Sequence, residues 1–313
     1  LVSASFMLDF LLSYDPARDA APDAPYPDVA PTLFHITNLL WHVAAALLVF
    51  ALLGRLGAPR FVRAVTPLLF VVHPLHTEAV AYISGRADMM AAAFMFAGLW
   101  FALAEERRFA AYFAGTLCFI AALLSKESAL IFPVLLALCL LLRDREADAR
   151  ESWTARLLPL APAVVVLAVY VLLRATVLRF ATADAVQAAP LAHRLVQTAQ
   201  AFAHYLRMLF VPTGLHMEQT LAGSGVLTTV AGVLLLAVVV AALAAAWRAQ
   251  HRRIALALGW FLAAWLPISG VFPLNAPLAE HWLYVPMVGF WWALAEGLWL
   301  VVGQAGRRVA AVA

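Results

Sequence analysis

The sequence predicts an all-α fold, a polytopic bundle of membrane helices with about nine spans. Three observations lead there. Hydrophobic residues make up 65% of the 313 and charged residues 12%, against roughly half and roughly a quarter in a soluble domain. Mean hydropathy is +0.89. The apolar residues fall into runs of near-span length, and arginines gather between alternate runs.

The runs are Leu33–Leu53, Val62–Ile83, Met89–Ala104, Phe109–Leu124, Ala129–Leu142, Leu157–Leu173, Val226–Trp247, Ile254–Phe272 and Leu283–Val302. A span needs about 20 apolar residues, so the shorter runs are expected to be tilted or broken. Arginine asymmetry sets the orientation. Arg55, Arg60 and Arg63 follow the first run, Arg107 and Arg108 the third, and Arg143, Arg145, Arg150 and Arg156 the fifth. Arg248, Arg252 and Arg253 follow the seventh, and Arg307 and Arg308 the last. These connections are predicted to be cytoplasmic. The alternation closes only if Leu195–Phe210, which carries His204 and Arg207, does not cross and lies on the outer face as a lateral or re-entrant helix.

Three regions follow. Residues 1–32 form an outer, periplasmic loop with a short interfacial helix. Residues 33–303 form the membrane domain, with an outer loop over 174–225. Residues 304–313 form a cytoplasmic tail. The apolar piece Leu1–Leu12 is too short to span, and the chain reads as a fragment whose N-terminus, with one further span, precedes Leu1.

Composition also excludes. The net charge is +3, but the basic residues are not blocked as in a nucleic-acid binder, so no nucleic-acid partner is expected. Cys118 and Cys139 lie inside apolar runs and read as small core residues. No Gly-rich phosphate loop, nucleophile elbow or Rossmann fingerprint is present.

The chemistry collects on the outer side. Pro74 removes a backbone donor, so the second run should break near His73. Such a break is tolerated at membrane depth where it faces protein or a wet cavity. Glu78 follows one turn later, and Arg86 and Asp88 open the third run, where a helix N-terminus favours a carboxylate or an anionic ligand. This reads either as a polar pocket or as a structural ion pair of Arg86 with Glu78 or Asp88. Lys126, the chain's single lysine, and Glu127 sit between two apolar runs. Adjacent helical residues do not face each other, so each needs a partner elsewhere. Lys126 could hold a phosphate or snorkel to the interface, and Glu127 could meet Arg86. His35, Asn38 and His42 share one helix face and read as interhelical hydrogen-bonding groups. His73 and His76 with Glu78 and Asp88 lack an established metal spacing, so no metal is assigned. Glu280, His281 and Tyr284 open the last run from the outer side.

Four of these stretches resemble one family. They are Phe34-His35-Ile36-Thr37-Asn38-Leu39-Leu40-Trp41-His42, the long run His73-Pro74-Leu75-His76-Thr77-Glu78 through Ser84-Gly85-Arg86-Ala87-Asp88, Leu124-Ser125-Lys126-Glu127, and Ala279-Glu280-His281-Trp282-Leu283-Tyr284-Val285-Pro286. In order, they are similar to the transmembrane and tetratricopeptide-repeat family of GT-C-type membrane glycosyltransferases, linked to protein O-mannosylation. The long run is the specific one.

The resemblance implies a GT-C-like bundle with a site on its outer face, and the arginine and alanine bias points to a GC-rich bacterial genome and hence a bacterial inner membrane. The donor would be a polyprenyl-phosphate sugar and the acceptor a protein Ser/Thr hydroxyl or a glycan. Asp88 matches a second acidic position of related enzymes. The family's catalytic acidic pair would fall before Leu1, and its repeats would follow Ala313. Asp88 and Glu78 are then the catalytic candidates, with Arg86, Lys126, His73, His76, Glu127, Glu280, His281 and Tyr284 around the lipid phosphate. A monophosphate donor needs no metal, whereas a pyrophosphate donor would recruit a divalent ion. Two rivals stand beside this reading. One is a non-catalytic membrane anchor for a repeat domain. The other is a transporter or flippase, against which the gathering of charges at one end argues.

Overall fold

The computed structural model describes residues 1–14, 30–104, 109–142, 157–177, 190–217, 219–274 and 276–312, without the side chains of 142 and 304–312. The aspartates of the loop between residues 15 and 29 lie outside the described residues. So do Arg107, Arg108, Arg143, Arg145, Arg150 and Arg156 and the side chains of Arg307 and Arg308.

The described chain is helical throughout. Helices α1 (Val2–Ser13), α2 (Thr32–Arg55) and α3 (Arg60–Val72) come first. The turn between α2 and α3 closes on Gly57 at φ 72°. There Ala58 N–H reaches Leu53 O and Gly57 N–H reaches Gly54 O, the paired bonds of a Schellman C-cap that only a left-handed residue completes. After a break come α4 (Thr77–Ala81), α5 (Arg86–Ala102), α6 (Phe109–Leu123), α7 (Phe132–Leu142) and α8 (Leu160–Thr176). Then follow α9 (Leu191–Phe210), α10 (Val226–Arg248), α11 (Arg252–Trp265) and α12 (Pro286–Val312).

Helix α5 is central. Met89, Ala92, Ala93, Met95, Phe96 and Leu99 bury its several sides, as expected of a helix apolar all round. It packs between α2 and α6. Phe119 of α6 stacks on Phe132 of α7 at 4.5 Å. Helices α9 and α10 approach so closely that a Cβ on Gly232 would overlap the Ala199 carbonyl.

The expectation of nine spans is corrected. Among the described residues three helices are long and apolar enough to cross a membrane: Thr32–Arg55, Val226–Arg248 and Pro286–Gly303. The bent pair Arg60–Val72 and Pro74–Ala81 makes a fourth if it counts as one span. The reason is local. Helices α5 and α8 have 17 residues each and α6 has 15, which at about 1.5 Å per residue falls short of a hydrocarbon core about 30 Å thick. The apolar run through α7 starts as a 3-10 turn over Glu127–Ile131. The run through α11 tightens into another at Leu266–Ile268, around Pro267. Apolar composition thus continues past the helix ends. The break near His73 is present, as a bend of 51° between α3 and the helical segment that follows. Only 6% of α10's apolar window is buried. A face so apolar and so uncovered fits lipid as its solvent, and the molecule is a membrane protein.

Candidate functional site

The site grows from the break. Pro74 starts a 3-10 turn, Pro74–His76, whose first free amide is taken by His73: Leu75 N–H donates to Nδ1 at 3.2 Å. The other ring nitrogen, Nε2, lies 3.1 Å from the Leu209 carbonyl at the end of α9. A carbonyl only accepts, so Nε2 carries the proton and the neutral ring is used up on backbone. A second 3-10 turn, Ile83–Gly85, leads into α5. It is possible because Gly85 lies against the Ala79 carbonyl, where a Cβ has no room. Asn38 of α2 ties this segment down by donating to the carbonyls of Val80, Tyr82 and Ile83 at 3.2, 3.2 and 3.3 Å. Glu78 and Asp88 are thereby held at the two ends of one compact excursion.

Two ion pairs result. Lys126 Nζ sits 2.7 Å from both carboxylate oxygens of Asp88. Glu78 accepts from His281 N–H at 3.0 Å and faces His281 Nδ1 at 2.8 Å. Neither pair is sealed, since Lys126 and His281 each keep 26% of the side chain exposed. Asp88, Lys126, Glu127, His281 and Tyr284 line a cavity of about 400 Å³, together with apolar Ile131, Ala264, Ile268, Leu274 and Trp282. One wall is therefore charged and the rest apolar.

Arg86, His73, His76 and Glu280 lie around this cavity, while Glu127 stands at its rim. Arg86 is wholly buried and pairs with Asp9 of α1, not with Glu78, Asp88 or Glu127. Its remaining donors go to Asn38 Oδ1 at 2.7 Å, Ser5 Oγ at 2.9 Å and Phe34 O at 3.0 Å. His76 is buried among His42, Phe70 and Tyr284, at ring separations of 4.8, 4.5 and 4.6 Å. Glu280 is 2% exposed and accepts from His216 N–H at 2.6 Å and Gln219 Nε2 at 2.7 Å, which fastens the connection between α9 and α10. Glu127 is exposed at the rim. It also borders a second cavity of about 340 Å³ with Leu130, Tyr170 and Val171.

Sequence reasoning missed Asp9, whereas His42 is the interhelical hydrogen-bonding group its position suggested. His42 Nε2 donates to Val71 O at 3.1 Å, one of the carbonyls freed at the end of α3. Its Nδ1 must then accept, so the Tyr284 hydroxyl donates to it at 2.7 Å. His42 thus couples the broken helix to a residue of the cavity wall. A lone aspartate in an apolar stretch was the available signal for Asp9. Beside the site, Tyr205 accepts from Ala279 N–H at 3.2 Å. Burial pushes its phenol well above the ordinary range, so it stays protonated.

The chain's curated relatives are named as protein O-mannosyl-transferases. Seven such proteins match it. It is 34% identical over 113 residues to Tmtc1 of Drosophila melanogaster, which is 36% of this chain and 13% of that protein. It is 45% identical over 62 residues to human TMTC1, 20% of this chain and 7% of that protein. It is 40% identical over 70 residues to F38B6.6 of Caenorhabditis elegans, 21% of this chain and 10% of that protein. The matches span about a third of the chain or less, and a small part of each relative. No family model matches, and no solved structure matches.

The arrangement offers a primary ammonium beside a carboxylate, and an imidazole beside a second carboxylate, on the wall of an apolar cavity. Among the described residues no three His, Cys, Asp or Glu side chains are grouped to hold a metal. Asp88 has both oxygens committed to Lys126. Among the described residues this donor set does not fit a divalent ion.

Proposed function

We propose that this chain carries the outer-face site of a membrane glycosyltransferase. It would transfer a sugar from a polyprenyl-phosphate donor to a hydroxyl of a protein or glycan. The observation that supports this most is the Lys126–Asp88 pair on the wall of a cavity whose other walls are apolar. The names of the matching relatives agree with it.

The donor phosphate enters beside Lys126 and competes with Asp88 for its ammonium. Lys126, with His281 when protonated, then faces the phosphate oxygens. The acceptor hydroxyl attacks the anomeric carbon. The bond from that carbon to the phosphate oxygen breaks, and its electron pair stays on the phosphate. Asp88, released from Lys126, takes the hydroxyl proton. Fixed cations aimed at the developing charge act strongly in a site with little water. Glu78 holds His281 in position. The apolar walls would receive the first units of the polyprenyl tail. Arg86 has no part in this scheme, because its donors are already taken inside the bundle.

The test is sugar transfer in membranes containing the full-length protein. Asp88→Asn should lower transfer by about 10² to 10⁴-fold, the usual worth of a general base. Wild-type transfer in both Asp88→Asn and Lys126→Ala would remove this cavity from the reaction.

A further inference from the structure

At the opposite, arginine-rich end of the bundle, the turn between α2 and α3 holds two cations that have no counter-ion among the described residues. Arg63 sits over Phe50, its Cζ 4.6 Å from the ring centroid. Beneath it is Gly54, where a Cβ would come within 2.9 Å of that Cζ. The guanidinium is therefore pre-organised by an aromatic face and a missing side chain. Its Nε is buried without a hydrogen-bond partner. Arg60, one turn earlier, is exposed. Among the described residues neither arginine has an ion pair. Both also sit in the first turn of α3, which has no acidic residue and no side-chain cap. The helix dipole makes that a poor place for cations and a good place for an anion.

The same face of α2 runs away from Arg63 as an apolar stripe. Phe50, Leu47, Val43 and Leu40 recur at helical spacing and are 41%, 63%, 39% and 63% exposed. From Leu40 to Phe50 the stripe is about 15 Å long, the depth of one leaflet's hydrocarbon. A phosphate at Arg63 would stand at one end of it.

We propose that this face binds an anionic phospholipid, with its phosphate on Arg63 and Arg60 and an acyl chain along Phe50, Leu47, Val43 and Leu40. Charge complementarity selects the head group, and the stripe distinguishes a lipid from a free anion. The proposal rests on α2 lying in a membrane and is independent of the transferase reading.

The experiment is native mass spectrometry of the full chain in detergent, titrated separately with phosphatidylglycerol, phosphatidylcholine and inorganic phosphate. Phosphatidylglycerol adducts should exceed phosphatidylcholine adducts. They should fall about fivefold in Arg63→Gln, the scale of one basic residue at a lipid surface. Arg248→Gln, which removes a basic residue from another part of the bundle, should leave them unchanged. If Arg63→Gln does not accumulate, Gly54→Ala tilts the guanidinium while keeping its charge and should lower the same adducts. Equal uptake of the two lipids, unchanged adducts in the Arg63 or Gly54 variant, or inorganic phosphate displacing the lipid would each overturn the proposal.

Discussion

The pairing of Lys126 with Asp88 illustrates what single residues can and cannot announce. Both were legible as charges at the ends of apolar runs, and their need for partners followed from the cost of leaving an ion unpaired near lipid. Which partner each would take was not legible, because nothing local says that α5 and the turn before α7 are neighbours. Arg86 is the clearest example. Its wholly buried guanidinium serves Asp9, and Asp9 lies on a helix of only 12 residues, Val2–Ser13, too short to count as a span. Removing one partner of a buried pair leaves the other charge uncompensated. Arg86→Ala should therefore destabilise the protein by about 3–5 kcal/mol, read as a lower unfolding midpoint in detergent. Arg86→Lys should recover little of it, since one ammonium cannot replace a fork that reaches Asn38, Ser5 and Phe34. A stable Arg86→Ala variant with impaired transfer would instead return this residue to the site.

At the level of elements, the break at Pro74 could be read from one residue, because proline acts through its own backbone. Helix length could not. Apolar runs record what the surroundings are made of, whereas helix ends record where hydrogen bonds stop. The 3-10 turns at Glu127–Ile131 and Leu266–Ile268 end helices inside apolar sequence. The contact of α9 with α10 also has a readable agent only in hindsight, the glycine at 232. Gly232→Ala places a methyl against the Ala199 carbonyl and should cost about 1–3 kcal/mol, again measured as an unfolding midpoint. An unchanged midpoint would mean that the two helices separate freely. His42 joins elements as well, from the Val71 carbonyl to the Tyr284 hydroxyl. His42→Ala should release Tyr284 on the wall of the donor cavity and raise KM for the donor more than it lowers kcat, a split that steady-state kinetics resolves. Equal loss in both would assign His42 to the fold alone.

For the whole molecule, composition was enough to say helical and membrane-embedded, and charge asymmetry was enough to set apart two chemically different ends. One end holds the Glu78–His281 and Lys126–Asp88 pairs beside an apolar cavity, and the other holds arginines stacked on aromatics, Arg55 on Trp100 and Arg63 on Phe50. The central claim concerns the first end, and steady-state kinetics on membranes of the full-length protein, with the polyprenyl-phosphate sugar varied, tests it most directly. Lys126→Ala should raise KM for the donor by about tenfold or more, the loss of one charge-assisted contact to phosphate. Asp88→Asn should lower kcat without raising that KM, since the phosphate then no longer competes with a carboxylate for Lys126. Wild-type constants in both variants, or equal changes in kcat alone, would contradict a phosphate-binding lysine released from its carboxylate partner.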